Sequence, residues 1–282
     1  MKLKKSLRII LAIMMTVVIT AGLAMYAAPA DAVLTAEAAS TKKKENKAYK
    51  KIMAMEAKYP EGTSWTEANS YRGKTACQAF AFMMSDTGYG KKAKYYTHYD
   101  FGVLKTGDII FQVPGTTTSD GATTSGTHAL VVLKADYAND KLILAEGNYN
   151  GTVHWNGEFT ISEFAGGCGQ CVVSRFAYDE KHKAKIKKPK QVKKVTYGES
   201  DGYGHFYAEK PVSCTKYQFL ISNNKKFPYT STMVAYSAQD TNYVYWKGGR
   251  EVWGNGFVKV RAVNISGGKV SYGKWSKVMK IN

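Results

Sequence analysis

The segment ACQAFAFMMSD, residues 76–86, constrains the fold of this chain more than any other part of the sequence. Apolar side chains occupy almost every position, so a helix over this segment is apolar on nearly every side. Such a helix is stable only when other elements cover it. We therefore expect a buried central helix over residues 76–86, with Gly88 as its stop.

The start of this helix predicts a reactive thiol. Thr75-Ala76-Cys77-Gln78 has the form of a capping box, with Thr75 as the N-cap and Gln78 reaching back to its amide. Cys77 then lies in the first turn, where unpaired backbone amides and the helix dipole favour an anion. This position favours the thiolate form of Cys77.

Six segments rich in β-formers follow the helix at short spacing. They are DIIFQV (108–113), HALVVLKA (128–135), KLILAEGNY (141–149), TVHW (152–155), EFTI (158–161) and CVVSRFAY (171–178). Short connections favour antiparallel pairing, and Asn156-Gly157 predicts a two-residue hairpin turn. A helix packed on an antiparallel sheet makes an α+β domain, which we place at residues 60–180.

Residues 1–39 have the pattern of a secretory signal peptide. Four basic residues open it: Lys2, Lys4, Lys5 and Arg8. An apolar run over residues 9–28 and two small-residue cleavage patterns follow. An uncleaved membrane anchor is the alternative, because the run is long enough to span a bilayer. No second long apolar stretch occurs, so we expect an extracellular chain with no membrane span once the signal is removed.

The chain is strongly basic, with a formal net charge of +18. Residues 1–38 carry four basic and two acidic groups, which leaves +16 on the remainder. In a secreted protein this excess favours anionic polymers of a cell envelope or phospholipid head groups over nucleic acid. Simple solubility is the alternative explanation.

Lysine-rich stretches mark the domain boundaries. Residues 40–59 form a basic lead-in that is compatible with a short helix. Residues 181–194, KHKAKIKKPKQVKK, contain eight lysines and no acid, which predicts a linker extended by self-repulsion. About seven short β-segments follow in residues 195–282, and such spacing predicts a small β-sandwich.

His128 is the best candidate for a base that activates Cys77. It follows the polar loop GTTTSDGATTSGT and opens an apolar strand, where solvent can reach it. If 128–135 and 141–149 pair around the YAND turn, His128 falls opposite roughly residues 148–151. An acid or amide there can hold one imidazole nitrogen while the other faces the thiol.

Three residues are candidates for that third member. Glu146 and Asn148 project on one face of their strand. His154 follows closely and serves either as the third member or in substrate binding. The register of the strands decides among the three residues, so they stay open at this point. The other histidines, His98, His182 and His205, receive no catalytic role.

The remaining cysteines do not indicate a cofactor. Cys168 and Cys171 form a CxxC that precedes a strand rather than a helix, so a local disulfide or two free thiols fit better than a redox motif. A zinc site lacks two further ligands. Cys214 is expected to pack as a small hydrophobe. No cofactor or metal is signalled.

Residues 60–178 resemble the papain-like bacterial amidases and endopeptidases of the CHAP and NlpC types. The segments that carry the likeness are CQAFAFMM, LKTGDIIF, THALVVL and AEGNYNG, in that order. In these families a cysteine starts a helix, a Gly-Asp precedes a strand, and a histidine opens the next strand. The sequence departs from the NlpC pattern in having Ala76 and Gln78 beside the cysteine.

The resemblance implies thiolate attack on an amide carbonyl. Cys77 would be the nucleophile and His128 the base, oriented by Glu146, with or without Asn148. The oxyanion would lie at the backbone amide of Cys77, and the Tyr71 hydroxyl would be a second donor. A packed surface tyrosine is the alternative for Tyr71.

Residues 195–282 resemble a fibronectin type III sandwich, because FVKVRAVN, a Ser-Gly-Gly turn and KVSYGKWSKVMKI are similar to its last two strands. Such modules bind protein or polysaccharide, or act as spacers. The predicted fold class is therefore an α+β papain-like domain followed by an all-β immunoglobulin-like sandwich.

The predicted function is a secreted or wall-associated cysteine hydrolase of a Gram-positive-like bacterium. It would cleave an amide in peptidoglycan, while its basic segments hold anionic wall polymers. Two alternatives are a non-catalytic surface adhesin and a cysteine hydrolase of other peptide amides.

Overall fold

The computed structural model describes residues 42–91, 94–113, 116, 126–176, 186–200, 202–247, 254–266 and 268–281. The predicted signal peptide lies outside these residues. Two units can be told apart, Met1–Asn46 and Lys47–Asn282. Of the first unit the structure describes only residues 42–46, which are helical. In the described part of the chain, no helix is long and apolar enough to cross a membrane.

The first half of the described chain contains three α-helices and eight strands. The helices are α1 (42–53), α2 (Ala76–Tyr89) and α3 (Ile161–Gly166). Short 3-10 turns lie at Ala54–Ala57 and Phe101–Val103. The strands are β1 (Ser70–Tyr71), β2 (Lys74–Thr75), β3 (Tyr96–His98), β4 (Ile109–Gln112), β5 (His128–Asp136), β6 (Lys141–Tyr149), β7 (Thr152–Phe159) and β8 (Gln170–Ser174).

The second half contains strands and one 3-10 turn, Tyr229–Ser231, among its described residues. The strands are β9 (Lys194–Ser200), β10 (Tyr203–Glu209), β11 (Lys216–Ser222), β12 (Thr232–Tyr236), β13 (Tyr243–Lys247), β14 (Phe257–Ser266), β15 (Lys269–Tyr272) and β16 (Met279–Lys280).

A six-stranded antiparallel sheet positions the candidate site. Its strand order is β3-β8-β4-β5-β6-β7. β5 and β6 pair around the turn at residues 137–140, with Asp136 opposite Lys141 and Leu130 opposite Glu146. This pairing confirms the prediction that the two strands form a hairpin around YAND.

The predicted hairpin turn at Asn156-Gly157 is wrong. β7 runs without a break through both residues, and its register against β6 shifts there. Asn156 has a φ of 57°, so the left-handed preference of Asn-Gly serves a β-bulge instead of a turn. The turn between β6 and β7 lies at Asn150 and Gly151, whose φ values are 50° and 77°.

The buried helix is confirmed, with a later end than predicted. α2 packs on one face of the six-stranded sheet, against apolar residues such as Val131 and Ala145. It runs past Gly88 to Tyr89, and its C-cap is Gly90, whose φ is 89°. The prediction of Gly88 as the stop is wrong: this glycine makes room for α1, since a Cβ there would lie 3.2 Å from Ile52 Cδ1.

The fold-class prediction of an α+β papain-like domain followed by an all-β sandwich is wrong. The described chain is mostly β-sheet in both halves, with sixteen strands in four sheets against three α-helices, and it is not clearly all-β either. One buried cluster joins Ile110 and Leu130 of the six-stranded sheet to Leu220 and Val263 of a five-stranded sheet. Sequence periodicity shows which positions are buried but not which sheets share a core, so it did not predict that the two larger sheets contribute side chains to one buried cluster.

Two further sheets come from the second half of the chain. The five-stranded sheet has the order β12-β11-β14-β15, with β16 also paired to β14. A three-stranded sheet has the order β13-β10-β9. The two share a core that includes Phe206 and Val244 of the smaller sheet and Phe219 and Val260 of the larger. The predicted domain division at residues 181–194 stays a prediction, and residues 181–185 lie outside the described chain.

Candidate active site

A tight hairpin delivers the chain to Cys77. β1 and β2 pair through Ser70–Thr75 and Tyr71–Lys74. The turn residues Arg72 and Gly73 both have positive φ, 52° and 69°, as a two-residue type I′ turn requires. Because the hairpin ends directly at α2, it fixes where the first helical turn begins.

The peptide before Cys77 is held in an uncommon conformation. Ala76 has a φ of 51°, which is rare for a residue with a Cβ. Its amide donates to the Asn69 carbonyl at 3.0 Å, and its carbonyl accepts a 2.8 Å hydrogen bond from Trp65 Nε1. The orientation of this peptide is therefore set from outside the helix.

The capping-box prediction is wrong in its side-chain part. Thr75 is the N-cap, with extended φ and ψ of −120° and 168°, but its side chain makes no capping hydrogen bond. Its hydroxyl instead donates to Glu67 Oε2 at 3.4 Å. The left-handed Ala76 turns the backbone away from the geometry that a capping box needs, so the entry to α2 depends on Ala76 and Trp65.

Cys77 lies in the first turn of α2 and is 5% exposed. Backbone amides at this position have no acceptor within the helix. Its Sγ donates to the Thr127 carbonyl at 3.6 Å, one residue before His128. The thiol therefore contacts the residue that immediately precedes β5.

His128 lies between the thiol and a carboxylate. The Cys77 side chain is close enough to the imidazole to raise its pKa. The imidazole Nε2 pairs closely with Glu146 Oε2 from the neighbouring strand. The side chains of His128 and Glu146 are 17% and 14% exposed, so this pair is largely shielded from water. The structure therefore brings three of the predicted site residues together: Cys77, His128 and Glu146.

The charge state of His128 follows from its neighbours. Burial lowers the pKa of His128, but hydrogen bonds to Cys77 and Glu146 and the charges of both raise it, to about 9. The net effect is that an imidazolium is favoured at neutral pH. An imidazolium beside a thiol stabilises the thiolate, which is the nucleophilic form of cysteine.

Asn148 forms its side-chain hydrogen bond with a residue other than His128. It has a φ of 64° and lies where the β6–β7 register shifts. Its side-chain amide donates to Glu67 Oε1 at 3.1 Å. Of the candidates for the third member, Glu146 contacts the imidazole and Asn148 contacts Glu67.

His154 lies beside the site but has other partners. It pairs in register with Glu146 across β6 and β7. Its Nδ1 lies 2.7 Å from Glu61 Oε1, and its Nε2 lies 2.9 Å from the Thr152 hydroxyl. The half-exposed Tyr149 ring connects the two histidines, with centroids 6.5 Å from His128 and 5.5 Å from His154. His154 therefore belongs to the rim of the site.

Tyr71 is held by a buried acid. Its hydroxyl donates to Asp86 Oδ2 at 2.9 Å. Asp86 also accepts from Arg72 Nη1 at 3.0 Å, Tyr95 at 2.9 Å and Arg175 Nη1 at 2.7 Å. This cluster joins the β1–β2 hairpin to the second half of α2, so Tyr71 contributes to the support of the Cys77 loop.

Two residues that support the site, Asp86 and Trp65, were not predicted from the sequence. Only Asp86 could have been recognised from the sequence pattern. Asp86 is an acid inside an otherwise apolar helix, and an acid that is 3% exposed needs partners. Trp65 could not have been recognised in this way, because its partner is a backbone carbonyl, and every residue type has one.

The other cysteines differ from Cys77 in their surroundings. All four cysteines are free, which leaves two free thiols in the CxxC. Burial raises the pKa of the Cys168, Cys171 and Cys214 thiols, and neither a histidine nor a carboxylate is among the causes of these shifts. In the described residues, no group of three or more His, Cys, Asp or Glu side chains is arranged to hold a metal ion.

No protein-family model matches the sequence, and no curated protein matches it at a significant level.

Proposed function

We propose that this chain is a cysteine hydrolase that cleaves an amide bond of bacterial peptidoglycan. The observation that carries the proposal is His128 held between the Cys77 thiol and the Glu146 carboxylate. A nucleophile, a base and an acid that orients the base are the three parts that amide hydrolysis by a thiol requires.

The chemistry proceeds in two steps. The reaction starts from the ion pair in which the Cys77 proton already resides on His128, and the thiolate attacks the amide carbonyl carbon. When the C–N bond breaks, His128 returns the proton to the leaving amine, and a thioester remains on Cys77. Water then attacks the thioester while His128 accepts its proton, which releases the carboxylic acid and the thiol. Glu146 stabilises the imidazolium in both steps.

The peptide between Ala76 and Cys77 supplies the oxyanion donor. Its C=O points to the Trp65 indole, and in a planar trans peptide the N–H points the opposite way. The Cys77 N–H is therefore oriented away from Trp65 by a fixed partner. A preorganised donor of this kind stabilises the tetrahedral oxyanion.

The substrate class rests on the signal-peptide pattern, the formal charge of +18 and the resemblance to wall amidases. Peptidoglycan carries peptide amides in an anionic envelope, where a basic secreted protein is concentrated. The bond is one in the stem peptide or cross-bridge, or the one between muramic acid and its peptide.

Release of free amino groups from purified peptidoglycan, in reducing buffer at neutral pH, tests this function. We expect release by the wild type, none by Cys77→Ala, and normal release by Cys214→Ala, which removes a thiol outside the site. Failure of the wild type on walls would overturn the proposal. Cleavage of unrelated peptides without wall cleavage would instead favour the general peptide hydrolase, and no cleavage with tight wall binding would favour the adhesin.

A further inference from the structure

A ladder of aromatic rings covers one face of the three-stranded sheet. Three members come from β10 and two from β13: Tyr203, His205, Tyr207, Tyr243 and Tyr245. The register places His205 opposite Tyr245 and Tyr207 opposite Tyr243. Residues opposite each other in a sheet project on the same side, so the five rings share a face, which we call the aromatic ladder.

The rings form a continuous series. Four successive centroid distances connect Tyr203 to Tyr245 (5.6 Å), Tyr245 to His205 (6.0 Å), His205 to Tyr207 (5.9 Å) and Tyr207 to Tyr243 (5.6 Å). From Tyr203 to Tyr207 the strand rises about 13 Å. The ladder is thus long enough to hold a short linear polymer rather than a single small group.

The ladder lies on the solvent side of the sheet. The alternating residues Phe206, Ala208 and Val244 are buried in the core below it. Tyr245 is 60% exposed, the largest value among the large hydrophobic side chains in the described chain. On the adjacent strand β9 the residue opposite His205 is Gly198. Because glycine has no side chain, β9 places no side chain beside the His205 ring at this position.

The chemistry of the face indicates its ligand. Tyrosine and histidine combine a flat apolar ring with a polar atom at the edge. Because the ladder contains no Leu, Ile, Val, Phe or Met, each of its members has a polar atom that can form a hydrogen bond with a ligand. The ladder also contains no Lys, Arg, Asp or Glu. Lys247 of β13 lies opposite Tyr203 in the register, and Lys194 and Glu209 pair with each other at 3.2 Å at the other end of β10.

We propose that the aromatic ladder binds a glycan strand of the cell wall. A sugar ring has flat C–H faces and hydroxyl groups around its edge, so it can stack on a ring while its hydroxyls bond to tyrosine hydroxyls and to the Ser200–His205 pair. The choice of a wall glycan rests on the proposed function, whereas stacking of sugars on the ladder does not.

Binding to chitin and to peptidoglycan tests the ladder separately from catalysis. Chitin is a neutral polymer of N-acetylglucosamine without peptide amides, and full-length Cys77→Ala removes the nucleophile. In that background we compare Tyr207→Ala/Tyr245→Ala with Tyr96→Ala, which removes an exposed tyrosine of β3. We expect the double variant to bind both polymers at least tenfold more weakly, Tyr96→Ala to bind normally, and Tyr207→Phe/Tyr245→Phe to lose less than the double alanine variant.

Unchanged binding of the folded double alanine variant to both polymers would overturn the ladder as a glycan site. So would sedimentation showing that the parent is a dimer which the same substitutions dissociate without loss of polymer binding, because the ladder would then join two copies of this chain. Chitin binding lost with peptidoglycan binding kept would overturn the wall glycan as its ligand. Each of these results can be interpreted even if the chain does not hydrolyse peptidoglycan, because none of them depends on amide cleavage.

Discussion

The indole Nε1 of Trp65 donates a 2.8 Å hydrogen bond to the carbonyl of Ala76, the residue immediately before Cys77. The same peptide contains the Cys77 N–H, so one side chain outside the helix orients the amide that we propose as the oxyanion donor. Ala76 has a φ of 51°, a conformation that costs about 1–2 kcal/mol for a residue with a Cβ. The bond to Trp65 stabilises that conformation.

Trp65→Phe should lower kcat without a matching change in KM. The ring keeps the core filled, but the Ala76 carbonyl loses its donor and the Cys77 amide loses its fixed direction. We expect a 10- to 100-fold loss, since removal of an oxyanion donor costs roughly 100-fold or more. Urea unfolding should show a loss of about 1–3 kcal/mol.

Trp155→Phe is the matched control for this substitution. Its indole donates a 2.8 Å hydrogen bond to the Tyr59 carbonyl in the same core, and not to the peptide that precedes Cys77. It should lose similar stability and keep its kcat. Equal kcat in the two variants would contradict the role given to Trp65.

The activity of the wild type should fall as pH rises through about 9, where the His128 imidazolium loses its proton. Glu146→Gln removes a charge that raises the pKa of His128, so the alkaline limb should move to lower pH. Profiles of kcat/KM against pH measure this shift. Glu61→Gln, which alters the partner of His154, should leave the limb in place.

The same shift predicts how stability depends on pH. The pKa of His128 is raised from 6.5 to about 9 on folding, so its contribution is fully present below pH 6.5 and is lost as pH rises through 9. The unfolding free energy should therefore decline across this window in the wild type and decline less in Glu146→Gln. An identical decline in both would contradict the assignment of the titrating group.

Asp86→Ala should destabilise the fold by about 3–5 kcal/mol, because it leaves the buried Arg175 charge without its partner. The Arg175 and Asp86 side chains are 2% and 1% exposed. Arg72→Ala breaks a pair to the same carboxylate from a side chain that is 40% exposed, so it should cost under about 1 kcal/mol. Denaturant unfolding of the two variants compares them directly.

Asp86 also makes an acid-sensitive contribution. Burial raises the pKa of Asp86, but hydrogen bonds from Tyr95 and Tyr71 and the charge of Arg72 outweigh it, so the pKa is lowered from 3.8. A lowered pKa means that the contribution is present above pH 3.8 and is lost as pH falls below it. Asp86→Asn should unfold with a weaker acid dependence than the wild type.

Gly147→Ala should displace the start of α2. A Cβ at Gly147 would lie 2.7 Å from Phe80 Cβ and 2.9 Å from Trp65 Cδ1. Overpacking of this kind costs about 1–3 kcal/mol, and the shift of Trp65 and Phe80 should reduce kcat as well. Gly126→Ala meets no atom within 4 Å and should keep wild-type stability. Wild-type stability in Gly147→Ala would contradict this prediction, because it would mean that α2 can shift to make room for the added Cβ.

The positions of the candidate site residues were easier to predict from this sequence than the architecture. Cys77, His128 and Glu146 stand at visible positions of a helix and two strands, and strand pairing brings them together. Asn148 occupies an equally visible position in the sequence, yet it lies at a register shift of β6 and donates to Glu67. Bulges, the left-handed Ala76 and the sheets that share a core depend on tertiary packing, which local patterns do not record.

The most direct test is to measure wall-amide hydrolysis while iodoacetamide modifies the thiols, with each cysteine followed by mass spectrometry. The other three thiols serve as internal controls, because burial raises the pKa of each. We predict that release of amino groups from peptidoglycan falls in proportion to carboxamidomethylation of Cys77, while Cys168, Cys171 and Cys214 remain unmodified. Hydrolysis that persists when Cys77 is fully modified would contradict the account.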